Sequence, residues 1–353
     1  MKKALLFVLA LIAVGCADAE QSETASDGSE QVTPSASCAD ISEESPLEDV
    51  LPCAEQGDVV AQFHLGLTYA TGQGAPQDDA EAVRWWRLAA EQGFAEAQFW
   101  LGIMYAGSEG VPEDDAEAVR WFRLAAEQGY AIAQTTLGLM YSLGDGVPED
   151  DAEAVRWFRL AAEQGDARAQ SRLGNMYADG EGVPRNLARA ASLLGQACDA
   201  GYTQTCSDVA VMYLTGEGVT QDFARAASLL EQACDGGDMQ ACGNLGVMYT
   251  TGDGITQDLV RGASLYEQAC DGGEITACTN LGNRYRTGEG VTQDLARTVS
   301  LYEQACDGGD ITGCFGLGLM YANGEGVTQD SARAANLFQR ACDGGVRPAC
   351  EME

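Results

Sequence analysis

Residues 116–151 read AEAVRWFRLAAEQGYAIAQTTLGLMYSLGDGVPEDD, and this pattern of 36 residues recurs along most of the chain. Its tyrosine has counterparts at a constant interval, with no insertion or deletion between them: Tyr69, Tyr105, Tyr141, Tyr177, Tyr213, Tyr249, Tyr285 and Tyr321. Alanine keeps the same interval from Ala89 to Ala341. The length of 353 residues alone would predict two globular domains. A fixed period over eight units instead predicts a solenoid of stacked repeats.

Each repeat has the pattern of two helices joined by a turn. Leu65 and Tyr69 lie one helical turn apart in the first helix, and a Gly-x-Gly turn that begins at Gly72 ends that helix. The second helix begins at Asp78, whose side-chain oxygen can cap free backbone N–H groups. Glu81 stands three residues further on and predicts a capping box with Asp78. The fold class is therefore all-α.

Two stretches resemble a known family of repeats. Residues 116–151 are similar to the Sel1-like repeat, a relative of the tetratricopeptide repeat. Residues 229–258, LLEQACDGGDMQACGNLGVMYTTGDGITQD, resemble the cysteine-rich variant of the Helicobacter cysteine-rich proteins. The resemblance implies a right-handed α/α solenoid of 36-residue helix-turn-helix repeats. It implies little about function, because repeat folds bind many different partners.

The same patterns divide the chain into six predicted segments. They are a signal peptide (1–15), a disordered acidic tether (16–37), an N-terminal capping half-repeat (38–57), four Trp/Leu-type repeats (58–201), four cysteine-rich repeats (202–345) and a C-terminal stub (346–353).

The N-terminus has the pattern of an export signal. Lys2 and Lys3 precede an apolar run of 11 residues, Ala4 to Val14, which is too short to span a bilayer. The sequence ending at Cys16 resembles a bacterial lipobox, which would lipidate Cys16 and anchor the protein in the outer membrane, facing the periplasm or the surface. The alternative is ordinary cleavage after Ala17-Asp18-Ala19, which would release a soluble periplasmic or secreted protein.

Twelve cysteines form a predicted disulfide framework. Five pairs are each eight residues apart: Cys198/Cys206, Cys234/Cys242, Cys270/Cys278, Cys306/Cys314 and Cys342/Cys350. In register they replace Ala90, at the end of a second helix, and Gln98, in the next first helix, so each pair would join two successive helices. Cys38 and Cys53 would form a sixth bridge in the capping half-repeat. Zinc is the alternative, but these pairs lack zinc-motif spacing and nearby histidines, and an exported chain meets an oxidising compartment.

The composition argues against several functions. The chain carries 54 acidic and 20 basic residues, and this net charge of −34 disfavours nucleic acids and anionic lipid surfaces as partners. The only lysines are Lys2 and Lys3, and the only histidine is His64. We therefore predict no catalytic residue, no metal site and no cofactor. The alternative is a β-lactamase-like or penicillin-binding hydrolase, as described for some cysteine-rich relatives, although no Ser-x-x-Lys motif would survive signal removal.

A variable stripe on the first helices is the predicted partner-binding surface. Its positions lie opposite the core face, which in tetratricopeptide-like solenoids lines the concave groove. The stripe changes from apolar to basic to amide-rich along the chain, and its residues are His64, Leu67, Trp100, Ile103, Ile132, Leu139, Leu143, Arg168, Arg172, Asn244 and Asn280. This gradient suits a peptide with a hydrophobic anchor and an acidic group. The alternative is that the stripe is merely solvated. We therefore predict a monomeric, non-catalytic scaffold or adaptor of the bacterial cell envelope that binds a protein or peptide and meets the membrane only through its lipid anchor.

Overall fold

The computed structural model describes residues 38, 41–42, 45–107 and 110–352, in which all regular secondary structure is helical. The predicted signal peptide, the lipidation site Cys16 and the tether lie outside the described residues. Eighteen α-helices follow one another in this part of the chain. They are α1 (Leu47–Glu55), α2 (Val59–Thr71), α3 (Asp79–Glu91), α4 (Ala95–Gly107), α5 (Asp115–Glu127), α6 (Ala131–Leu143), α7 (Asp151–Glu163), α8 (Ala167–Asp179), α9 (Leu187–Asp199), α10 (Cys206–Thr215), α11 (Phe223–Asp235), α12 (Met239–Thr251), α13 (Leu259–Asp271), α14 (Ile275–Thr287), α15 (Leu295–Asp307), α16 (Ile311–Asn323), α17 (Ser331–Asp343) and α18 (Arg347–Cys350).

The chain forms two compact units. Unit 1 ends at Arg185 and contains α1 to α8, and unit 2 begins at Asn186 and contains α9 to α18. Within each unit every helix packs against the next one along the chain. The helix pairs repeat every 36 residues, so the prediction of an all-α solenoid is confirmed.

The helix ends follow the predicted turn chemistry with one exception. The Asp78 carboxylate accepts hydrogen bonds from the backbone N–H groups of Ala80 and Glu81, and Gly72 ends α2 in the left-handed conformation (φ 74°). The capping box is wrong, because Glu81 turns forward to form an ion pair with Arg84 (2.7 Å). The N–H of Asp78 already donates to the carbonyl of Tyr69, so the glutamate has no free donor to reach back to.

The glycine of the recurring Leu-Gly pair makes room for an aromatic ring. A Cβ atom on Gly102 would lie 2.7 Å from the ring of Phe122, which comes from the second helix of the same repeat. Gly282 has the same relation to Tyr302 in unit 2. Where the chain has Ala210 in place of this glycine, the register position of the ring is held by the smaller Leu230. The two helices of such a repeat can therefore pack closely, because a glycine on the first helix faces a large ring on the second.

The cysteine pairs of unit 2 form disulfides rather than a metal site. The five bridges join Cys198–Cys206, Cys234–Cys242, Cys270–Cys278, Cys306–Cys314 and Cys342–Cys350, with Cα–Cα distances between 4.5 and 5.1 Å. Each bridge ties the end of one repeat to the first helix of the next. A further disulfide in unit 1 joins Cys38 to Cys53 of α1 (Cα–Cα 5.6 Å).

In unit 1, glutamine replaces the second cysteine and makes the equivalent link through a hydrogen bond. Nε2 of Gln98 donates to the carbonyl oxygen of Ala90, eight residues earlier (3.1 Å), and Nε2 of Gln128 donates to Oε1 of Gln98 (2.7 Å). Gln62 and Gln134 make the same bonds in their own repeats. We call this arrangement the amide latch. The same register position is thus closed by hydrogen bonds in unit 1 and by a covalent bond in unit 2.

Candidate peptide-binding surface

The predicted stripe of unit 1 lies on the first helices α2, α4, α6 and α8, with different degrees of exposure. Leu143 is the most exposed of its apolar members, at 57%. Leu67, Ile132 and Leu139 are half-buried. Ile103 is buried, with 7% exposure, and packs into a core cluster with Phe99 and Phe122, so it offers no side chain to a partner.

Trp100 belongs partly to the core, in contrast to the expectation that it faces away from it. Its ring stacks on Trp86 (centroids 5.5 Å apart, 20° between planes) and meets the edge of Phe99 at 6.1 Å. The reason is that α4 packs against α3, the second helix of the preceding repeat, and Trp86 projects from α3 into the position that Trp100 covers. Trp100 is half-buried, so it contributes an edge to the surface rather than a free anchor.

Two arginines end the apolar part of the stripe on α8. The Arg168 side chain is only 19% exposed and lies 3.7 Å from the Asp166 carboxylate. Its Nη1 atom is buried and has no hydrogen-bond partner among the described residues. Arg172, one turn further on, is exposed, and no carboxylate of the described residues lies within ion-pair distance of it. The end of the stripe therefore has unused guanidinium donors.

A half-buried tyrosine, Tyr130, lies near Arg168. Burial raises the pKa of Tyr130 to about 12, the negative charge of Glu96 adds to this shift, and the positive charge of Arg168 opposes it. The Tyr130 hydroxyl is consequently neutral over the ordinary pH range. The neutral Tyr130 hydroxyl therefore carries no charge to balance Arg168, whose ion-pair partner is the Asp166 carboxylate.

The remaining predicted residues lie in other surroundings. His64 is half-buried beside the ring of Phe63, with centroids 5.7 Å apart. In unit 2, Asn244 and Asn280 are half-buried on the first helices α12 and α14. Sequence reasoning missed Val211 and Val247, which are 48% and 42% exposed. They stand in register with Leu67, and the apolar character of that position in most repeats could have indicated them.

The geometry defines a class of protein. The chain is an α/α-repeat protein whose helix pairs present a variable face on their first helices. It belongs to the Sel1-repeat family, because the model of the Sel1 repeat matches eight segments of it: 59–94, 95–130, 131–166, 167–202, 204–238, 240–274, 275–310 and 311–346. The predicted resemblance to this family is confirmed.

Several solved structures are similar to this chain. A protective antigen of uropathogenic Escherichia coli strains is 32% identical, with a TM-score of 0.73 over 86% of this chain and 73% of the antigen. A Sel1 repeat protein from Oxalobacter formigenes is 30% identical, with a TM-score of 0.63 over 91% of this chain and 96% of its own. Cysteine-rich protein B of Helicobacter pylori is 26% identical, with a TM-score of 0.32 over 38% of this chain and 96% of its own. No curated protein sequence matches the chain significantly.

The disulfides indicate the cellular compartment in which the protein is found. Six bridges in one chain indicate an oxidising, exported environment, since cytosolic thiols are kept reduced. Among the helices that the structure describes, none combines the length and the apolar character needed to cross a membrane.

Proposed function

We propose that this protein is an exported, non-catalytic scaffold that binds a protein or peptide partner through the stripe of unit 1. Sel1-repeat proteins are typically protein-interaction scaffolds, and the chain contains eight such repeats. The proposal rests on two observations: Leu143 on α6 is exposed, and Arg172 on α8 has no carboxylate within ion-pair distance among the described residues. In a chain with a net charge of −34, an exposed arginine with no carboxylate beside it is not expected on a surface that is merely solvated.

The surface chemistry defines the partner. Leu67, Leu139 and Leu143 offer half-exposed or exposed aliphatic area, which suits an apolar side chain of an extended or helical segment. Arg168 and Arg172 lie four residues apart on one helix and therefore on one face, so both can approach the same carboxylate. A partner with a hydrophobic anchor followed by an acidic group fits this order.

The location and state of the protein belong to the same proposal. We place it in the bacterial cell envelope as a monomer held to the outer membrane by a lipid on Cys16, after removal of a signal peptide at 1–15. Ordinary cleavage after Ala19 would instead give a soluble periplasmic or secreted scaffold. The disulfides support the envelope, and mass spectrometry of the processed N-terminus distinguishes a lipidated Cys16 from a free Glu20.

The test uses a photo-crosslinking amino acid in place of single exposed leucines of the full chain. Position 143 reports the stripe, and position 160, where Leu160 is 38% exposed on a second helix, is the matched control. A discrete crosslinked partner from envelope extracts is expected at position 143 only. Arg172→Glu should weaken that crosslink at least tenfold, whereas Arg347→Glu, the same charge change at an exposed site of unit 2, should leave it unchanged. Equal crosslinking at both positions, or insensitivity to Arg172→Glu, would contradict the proposal.

A further inference from the structure

The last disulfide of unit 2 differs from the other four in its exposure. The four bridges before it are buried, and none of their eight cysteines is more than 3% exposed. In the last bridge Cys350 is exposed and Cys342 is half-buried. Among the paired cysteines that the structure describes, Cys350 is the one that is classed with the exposed residues. One bridge of unit 2 is therefore open to a reagent in solution.

The sulfur atoms show the same contrast. Sγ of Cys350 lies 3.9 Å from the carbonyl oxygen of Val346, at the protein surface. Sγ of Cys314, at the equivalent position one repeat earlier, lies 3.7 Å from the carbonyl oxygen of Cys306, in the interior. The two cysteines also belong to different helices in length, because Cys314 lies in the first turn of α16, which has 13 residues, whereas Cys350 is the last of the four residues of α18. Cys350 therefore lacks the helical turns that follow Cys314.

The same bridge holds α18 on the rest of unit 2. Ala349 is fully buried, and Val346 packs against the same apolar cluster, which includes Leu337 and Phe338 of α17. A helix of one turn is not stable by itself, so the covalent bond keeps these two side chains in place. Opening of the bond would free α18 and uncover part of the apolar cluster.

We propose that Cys350 is a thiol–disulfide exchange site, at which an external thiolate opens the Cys342–Cys350 bridge. The thiolate attacks Sγ of Cys350, the exposed sulfur, and forms a new S–S bond to it. The bond to Cys342 breaks, its electron pair goes to Sγ of Cys342, and that thiolate takes up a proton. A second thiolate then attacks the mixed disulfide and releases Cys350. Two external thiols are thereby oxidised to a disulfide while the bridge is reduced.

The external thiolate has two sources of the same chemistry, a small thiol and a protein dithiol. The four buried bridges of unit 2 exchange with neither unless the fold opens locally first. The exposed bridge needs no such opening, so its exchange is expected to be faster. This proposal rests on unit 2 alone and does not require the stripe of unit 1.

The experiment treats the full oxidised chain, without denaturant, with glutathione in one arm and reduced thioredoxin in the other. Samples are quenched at low pH, alkylated with N-ethylmaleimide and mapped by peptide mass spectrometry. We expect glutathione on Cys350 and N-ethylmaleimide on Cys342, formed at least tenfold faster than any product of the other five bridges. A thioredoxin whose second active-site cysteine is replaced by serine should be trapped on Cys350. The faster arm at equal thiolate concentration identifies the source.

Two double variants serve as controls. Cys342→Ser/Cys350→Ser should form no thioredoxin adduct and should bind an apolar fluorescent dye more strongly than the oxidised chain, because α18 is no longer held. Cys306→Ser/Cys314→Ser, the matched removal of a buried bridge, should still form the adduct at Cys350. If that variant loses helix content by circular dichroism, the peptide map of the unsubstituted chain decides.

Four results would overturn the proposal. They are exchange at the buried bridges as fast as at the last one, a mixed disulfide on Cys342 instead of Cys350, and no reaction with either thiol. The fourth, unchanged dye binding by Cys342→Ser/Cys350→Ser, would show that opening the bridge does not free α18.

Discussion

Reduction of the disulfides is expected to unfold unit 2 while unit 1 stays folded. Each of the five bridges of unit 2 joins cysteines eight positions apart and closes a loop of nine residues, so loop entropy assigns each a stabilisation of about 2.5 kcal/mol. The five loops do not overlap, so together they contribute about 12 kcal/mol, which is as large as the whole unfolding free energy of an ordinary domain. The amide latches of unit 1 contain no sulfur and are unaffected by a thiol reductant.

The distribution of tryptophan allows the two units to be followed separately. All five tryptophans lie between Trp85 and Trp157, so their fluorescence reports unit 1 alone, whereas far-ultraviolet circular dichroism reports both units. We would record urea unfolding of the full chain by both methods, with and without a phosphine reductant. The fluorescence midpoint should not move, and the circular dichroism should acquire a transition at lower urea. A Cys38→Ser/Cys53→Ser variant controls for the one bridge of unit 1.

Two results would refute this reasoning. If the reductant lowers the fluorescence and circular dichroism midpoints equally, the stability of unit 1 depends on the bridges of unit 2. If neither midpoint moves, the bridges contribute far less than loop entropy assigns, and side-chain packing alone holds unit 2 together.

Three further predictions concern unit 1. Replacing Ala90 and Gln98 together by cysteine exchanges two hydrogen bonds of about 1 kcal/mol each for a disulfide of about 2.5 kcal/mol. The unfolding free energy measured by tryptophan fluorescence should therefore stay within about 1 kcal/mol of the wild-type value in the oxidised variant and fall by about 2 kcal/mol in the reduced variant. An unchanged value in the reduced variant would show that the amide latch does not stabilise unit 1. Gly102→Ala should lower the unfolding free energy measured in urea by about 1–3 kcal/mol, because its Cβ atom would overlap the ring packed on that glycine. The matched control Gly195→Ala, which has open space around it, should not destabilise the protein. Equal effects of the two substitutions would contradict the steric argument. The unfolding free energy should fall as pH rises from about 10 to about 12, because Tyr130 ionises near pH 10 in the unfolded chain but stays neutral up to about pH 12 in the folded protein. Tyr130→Phe should flatten this fall. An identical pH profile for the variant would show that burial of the Tyr130 hydroxyl does not cause the fall in stability.

The sequence allowed the fold to be predicted because its information is periodic. Constant spacing from Tyr69 to Tyr321 specifies helix pairs, and cysteines at one fixed register specify which helices they join. The site was harder to predict, because spacing within one helix gives its faces but not which neighbouring helix covers them. Trp100 was therefore expected to face away from the core, although its ring stacks on Trp86 of the preceding helix.

The placement of the cross-links across repeat boundaries also limits how such a chain can change its length during evolution. Loss or duplication of any whole 36-residue segment within the cysteine-rich part preserves pairing; for example, removal of residues 239–274 would bring Cys234 to eight residues before Cys278. Removal of residues 167–202 would instead place Ala162 opposite Cys206 and leave that thiol alone. Repeat number can therefore vary within the cysteine-rich part without loss of a partner, whereas a deletion that removes Cys198 and keeps Cys206 leaves an odd cysteine that invites mispairing during oxidative folding.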